Sequence, residues 1–236
     1  MSALVFPGQP HRRVSRRLKS WWGRAFWRAV EEVAYDETQI LHARALSRSG
    51  RIGGLVIDSG SFAAGVSEEA GIWTVTGSVP VLDEDGRAAF LEVVTGRADA
   101  LLGGNLPHDL VEHAEEAGVE LVPYGVELSA TCTCPQWQRL TRQGGVCEHA
   151  LGVLVQLTEF VDQDPLVLVQ LRGISRDDLR PRRAPEPVPG PGARPTRTST
   201  AEDEEADAVE IAVDAALRAA RLLEESGMDP GPDDVR

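Results

Sequence analysis

Thr131-Cys132-Thr133-Cys134-Pro135-Gln136-Trp137, followed after a polar loop by Val146-Cys147-Glu148-His149-Ala150-Leu151, is the stretch that decides how this chain is built. All three cysteines of the 236 residues fall within it. Side chains alternate along an extended strand, so Cys132 and Cys134 point to one side and can clamp a single ion. Pro135 turns the chain away, and the loop to Val146 can return Cys147 and His149 at a loop-to-helix junction. Three thiolates and an imidazole are donors that a tetrahedral Zn2+ takes at about 2.0–2.3 Å. Such a shell is filled and rich in negative charge. It suits a structural ion, whereas a catalytic ion keeps one position open for water. The second ring nitrogen of His149 then requires a backbone or carboxylate partner to fix its tautomer.

Other uses of the same residues are less economical. Three cysteines can serve as small core hydrophobes, but that leaves the histidine at matching spacing unexplained. A redox dithiol needs neither Cys147 nor His149, and an iron–sulfur cluster usually takes four thiolates. An odd, clustered set of cysteines is no disulfide framework and points to a reducing cytoplasm.

Upstream, Pro7, Gly8 and Pro10 break regular structure, so residues 1–15 read as a disordered basic N-terminus. From Arg16 the apolar residues Leu18, Trp21, Trp22, Ala25, Phe26, Val30 and Val33 recur at helical spacing. Stacked aromatics at that spacing belong in a core. A second helix is predicted from Thr38 to Ser47. Strand-like runs follow at 54–58 and 61–66, separated by Ser59-Gly60 as a hairpin turn, and at 72–81. In the last run Ile72, Thr74 and Thr76 share one face and Trp73 and Val75 the other, giving an antiparallel sheet of about three strands. Helices are expected at 86–102 and 107–117, the second opened by Pro107 and stopped by Gly118. His108 and His113 lie on it five apart and read as surface residues. Residues 119–131 run extended into Cys132. Beyond the finger, helices are expected from Glu148 to Phe160 and from Asp164-Pro165, with Ser175 and Asp178 forming a capped turn.

The composition changes at Arg180: six of the fifteen prolines lie between Pro181 and Pro195, which marks residues 181–199 as an extended linker. Residues 200–236 read as an acidic amphipathic helix and tail, capped by Thr200 and with Val209, Val213, Leu217, Ala220 and Leu223 along one side. The reading is therefore an α+β domain over 16–130, a finger with its following helices over 131–180, and two appendages.

Charge sharpens this division. The net charge is −13, yet residues 1–30 hold seven Lys/Arg and no acid, and residues 31–180 hold ten Arg against 24 acids. A uniformly nucleic-acid-binding body would be basic. Any phosphate contact is thus expected at Arg12, Arg13, Arg16, Arg17 and Lys19. No apolar run approaches the roughly 18 residues of a membrane-spanning helix, and Trp21-Trp22-Gly23-Arg24 interrupts what would be a secretory signal. There is no phosphate-binding glycine loop, nucleophile elbow or acid/base pair.

The Cys-x-Cys, loop, Cys-x-His pattern resembles the SWIM-type zinc finger family, residue for residue at Cys132, Cys134, Cys147 and His149, with Pro135 and Trp137 also fitting. It is similar in particular to bacterial members of actinobacterial type, through Trp21 to Arg24 and through the Asp-Pro to Leu-Arg-Gly stretch from Asp164 to Gly173. The resemblance implies a DNA- or protein-binding module that works beside helicase-like ATPases of the Swi/Snf class. One departure bears on this: Glu148 stands where many members carry a basic residue, which removes a phosphate contact. The expected function is a non-catalytic, cytoplasmic zinc adapter for nucleic-acid machinery, without membrane or small-molecule substrate. A pure protein–protein interaction module and a thiol redox protein are the alternatives.

Overall fold

Five antiparallel strands, β1 (Leu4–Phe6), β2 (Ile52–Asp58), β3 (Ser61–Glu68), β4 (Gly71–Ser78) and β5 (Ser129–Cys132), lie side by side in sequence order. The computed structural model describes residues 3–141 and 145–180. The linker expected at 181–199 and the helix expected at 200–236 lie outside the described residues.

The three central strands match the alternation in the sequence. Leu55 and Ile57 of β2, Phe62, Ala64 and Val66 of β3, and Val75 of β4 are buried on one face, while Ile72, Thr74 and Thr76 are exposed on the other. Ser59-Gly60 closes the first hairpin, with Asp58 paired to Ser61. The register shifts between Ile52 and Leu55, so Gly53-Gly54 forms a bulge.

The two outer strands depart from expectation. Residues 4–6, expected to be disordered, pair with β2 through Leu4↔Ile57 and Phe6↔Leu55. The Phe6 ring stacks on Phe160 at 4.2 Å between centroids. Arg12 follows, anchored by its N–H to the Arg48 carbonyl and by a 2.6 Å ion pair with Glu159. A run of three residues carries no period of its own, and its partners lie far along the chain. Likewise β5 adds to β4 with Cys132 opposite Val75, so the finger completes the sheet rather than forming a separate unit after residue 130. The described residues cluster as one unit.

Helices cover the buried face. α1 (Trp21–Val33) and α2 (Glu37–Arg48) pack on α7 (Glu148–Gln163), which also touches β2, β4 and β5. Every α7 residue from Ala150 to Val161 is buried, as in a helix enclosed on all sides. Its acid there, Glu159, is matched by Arg12, since an unpaired buried carboxylate costs several kcal/mol or more. The helix expected at 86–102 is two helices, α3 (Glu84–Val94) and α4 (Ala98–Leu102). Gly96 between them has φ +80°, a conformation that ends the first and costs little only for glycine. α5 (His108–Glu116) carries His108 and His113 exposed, as expected.

The stretches that carry the family likeness are scaffold. Ser20 caps α1, and Asp162 of α7 accepts hydrogen bonds from the Lys19 and Ser20 N–H groups and the Ser20 hydroxyl. A Cβ on Gly23 would lie 2.4 Å from Asp162 Oδ1, so glycine permits this approach. Trp21 and Trp22 donate their indole N–H groups to the carbonyls of Leu106 and Val161. In α8 (Pro165–Leu171), Asp164 caps the first turn, and the Arg172 guanidinium after it donates to the carbonyls of Pro80 and Glu120. The Ser175–Asp178 turn forms with reciprocal side-chain bonds.

Candidate metal centre

The last residue of β5 is Cys132, and the backbone continues to follow β4: the Thr133 N–H reaches the Thr74 carbonyl at 3.0 Å. That continuation keeps Cys134 on the same side as Cys132. The chain then turns at Pro135 into the short α6 (Trp137–Thr141). It returns so that Cys147 is the cap residue of α7 and His149 lies in its first turn. The ligand atoms of Cys132, Cys134, Cys147 and His149 all lie within 4.8 Å of one another, and no other such group occurs among the described residues. Tetrahedral bonds of about 2.3 Å would place donors about 3.8 Å apart. Cys132 Sγ and His149 Nδ1 are separated by 3.8 Å.

The three cysteines are buried. Burial pushes the Cys132 and Cys147 thiols up, against the lowering effect of backbone N–H groups. The Cys134 N–H points at Cys132 Sγ and the Ala150 N–H at Cys147 Sγ, each at 3.4 Å. Those donors, with the N-terminal end of α7, favour thiolates once a cation replaces the protons. The donor set fits Zn2+, which would cross-link the sheet edge to α7 and supply folding energy.

The partner required by the second histidine nitrogen is a carboxylate. His149 Nε2 lies 3.3 Å from Glu68 Oε1, and Glu68 Oε2 accepts from Arg51 at 2.6 Å. This leaves Nδ1 for the metal and orients the ring. Nothing near Glu68 in the sequence marks it for this role, because only the pairing of β3, β4 and β5 brings residues 68 and 149 together. Glu148, between the last two ligands, faces outward and pairs with His42 at 2.9 Å. Among the described residues, the open cleft beside His149 is rimmed by Glu68, Glu69 and Glu148 and by Arg51.

The basic residues singled out in the sequence are not brought to this centre. Arg12 is turned inward to Glu159, while Arg13, Arg16, Arg17 and Lys19 are exposed.

Fold and donor set together define a zinc-finger-bearing α+β protein, and residues 118–157 match the SWIM zinc finger family. The chain is also similar to the uncharacterized protein Rv2102 of Mycobacterium tuberculosis, at 25% identity over 169 residues. That alignment takes in 68% of this chain and 57% of the relative, so the chain spans little more than half the relative's length. No solved structure matches. Among the described residues, no helix is long and apolar enough to cross a membrane.

Proposed function

We propose that this protein is a non-catalytic, cytoplasmic adapter whose zinc centre holds a binding surface in place for nucleic-acid machinery, a helicase-like ATPase of the Swi/Snf class being the expected partner. The observation that carries the reading is the closed Cys3His donor set. All four positions around an ion there are taken by protein, so no place remains for substrate or water. A second reading, contact with protein alone, is favoured by one feature. Among the described residues, the cleft beside His149 carries more acids than bases, with Glu148 in the Cys-x-His step and Glu69 beside it.

The test combines metal analysis of the purified chain with affinity capture from its own cells and mass spectrometry. One zinc per chain and an enriched ATPase support the adapter. A zinc-loaded chain that enriches no ATPase or other nucleic-acid enzyme removes the proposed partner class. Thiol–disulfide turnover that survives Cys147→Ser moves the assignment to redox chemistry.

A further inference from the structure

The acidic cleft near the finger contrasts with a second site beside α1. A cavity of about 370 Å3 opens between the N-terminal arm and the first two helices, with α7 as its floor. Arg16 and Arg17 of the arm, Arg24 of α1 and Arg44 of α2 line it, with Trp27 among them. Its one carboxylate, Glu159, is already held by Arg12 at 2.6 Å. Four guanidiniums thus line one cavity without a free counter-charge among the described residues, in a body whose residues 31–180 hold 24 acids.

Like charges gathered in this way repel one another, so their arrangement asks for an anion. Two of them are held in position. Arg24 Nη1 donates to the Lys19 carbonyl at 2.9 Å, and the Arg44 guanidinium stacks 4.5 Å from the centre of the Trp27 ring. Arg16 and Arg17 have no hydrogen-bond or ion-pair partner among the described residues, and the buried Arg12–Glu159 pair fixes the arm that carries them.

We infer that this groove binds single-stranded nucleic acid, with Arg16, Arg17 and Arg24 taking the phosphates on either side of one nucleotide and the Trp27–Arg44 stack offering a flat surface to its base. Planar guanidiniums match phosphate oxygens two at a time. A charged groove with an aromatic platform is the usual way to hold a single strand. The cavity, at about 370 Å3, has room for about one nucleotide. The floor residues Val155 and Glu159 lie eight to twelve positions beyond Cys147, roughly 12–18 Å along α7 from the metal centre. The strand would therefore be gripped away from the finger. This inference rests on the nucleic-acid half of the proposed function.

The experiment uses the full zinc-loaded chain and labelled strands of roughly 15 nucleotides, as DNA, RNA and duplex, with polyglutamate as a plain polyanion. Anisotropy is followed from about 50 to 200 mM salt. Single strands are expected to bind with steep salt dependence. The R16E/R17E and R44E variants should each weaken binding about tenfold or more at low salt, and R16E/R17E should flatten the salt slope by about 1.4, at about 0.7 per phosphate contact on a single strand. Zinc content verifies that each variant is folded. R139E, on α6 of the finger, should bind as the parent does.

Equal affinity for polyglutamate, tighter binding of duplex, or loss of binding in R139E alone overturns the inference. So do arginine variants that bind like the parent; if strands still bind there, the site lies elsewhere and the proposed function stands. If no strand binds at low salt while an ATPase still co-purifies, the groove fails and the adapter survives on protein contacts.

Discussion

Glu68 Oε1 lies 3.3 Å from His149 Nε2, across 81 residues of sequence, and leaves the other ring nitrogen directed at the three cysteines. The hairpin joining β3 to β4 thereby reaches into the metal centre without contributing a ligand. Glu68 is itself steadied by Arg51, so the chain of contacts runs from the residue before β2 to the first turn of α7.

Glu68→Gln should lower zinc affinity by about tenfold, and Arg51→Ala by less, because the partner of a ligating imidazole typically contributes 10–100-fold. Competition with a chromogenic chelator measures both. Unchanged affinity in Glu68→Gln would show that the carboxylate is only a neighbour.

Cys147→Ser removes a ligand and the thiolate at the cap of α7. The expected result is less than one zinc per chain and a clear fall in the thermal midpoint, read by elemental analysis and near-UV circular dichroism. A chain that keeps its ion and its midpoint would remove Cys147 from the donor set.

The pH dependence has opposite signs with and without metal. In the metal-free chain, burial raises the Cys132 and Cys147 thiols above their ordinary values. The stability this contributes is fully present below the ordinary thiol pKa and is lost as pH rises through the raised values. With chelator present, the denaturation midpoint should therefore fall above about pH 9. Zinc must displace those same protons, so its affinity should rise with pH, by up to about tenfold per unit for each proton released. Chelator titrations at several pH values check both directions.

Asp162→Ala leaves the Lys19 and Ser20 N–H groups and the Ser20 hydroxyl without their acceptor and should cost about 2–4 kcal/mol in denaturant unfolding. Gly23→Ala should be comparably harmful, since its Cβ would overlap the same carboxylate. If Gly23→Ala is neutral, α1 does not need its close approach to α7.

Gln156 sits within α7 with no exposed surface, and neither amide atom has a hydrogen-bond partner among the described residues. Gln156→Met keeps the volume and removes the desolvated amide, so unfolding free energy should rise by about 1–2 kcal/mol. A loss of stability would show that the amide is satisfied in solution.

The metal ligands were legible because their chemistry is local: four donors in eighteen residues, at spacings that a strand and a helix start convert into one cluster. The central strands were legible for the same reason, since alternation from Ile72 to Val75 is visible without knowledge of any neighbour. What sequence periodicity cannot show is pairing across the chain. Leu4–Phe6 becomes a strand only because β2 offers it an edge, and Arg12, which reads as one more basic tail residue, turns inward because Glu159 is buried 147 residues later. Trp21 to Arg24 offers a helix stripe in the sequence; its indole bonds and its glycine contact exist only once Leu106, ahead of α5, and α7 are in place.

The grip of Asp162 on Ser20 also sets an order of events. A chain emerging from a ribosome presents α1 early, but the acceptor that closes its cap is made 142 residues later. Such distant contacts carry a large loop-closure cost before they contribute, which slows folding. Until α7 is synthesised, β1, α1 and α2 have no floor to rest on, and their aromatic residues remain open to other chains. α1 waits for α7, and a chain that stops before residue 162 should need a chaperone more than one that reaches past α7.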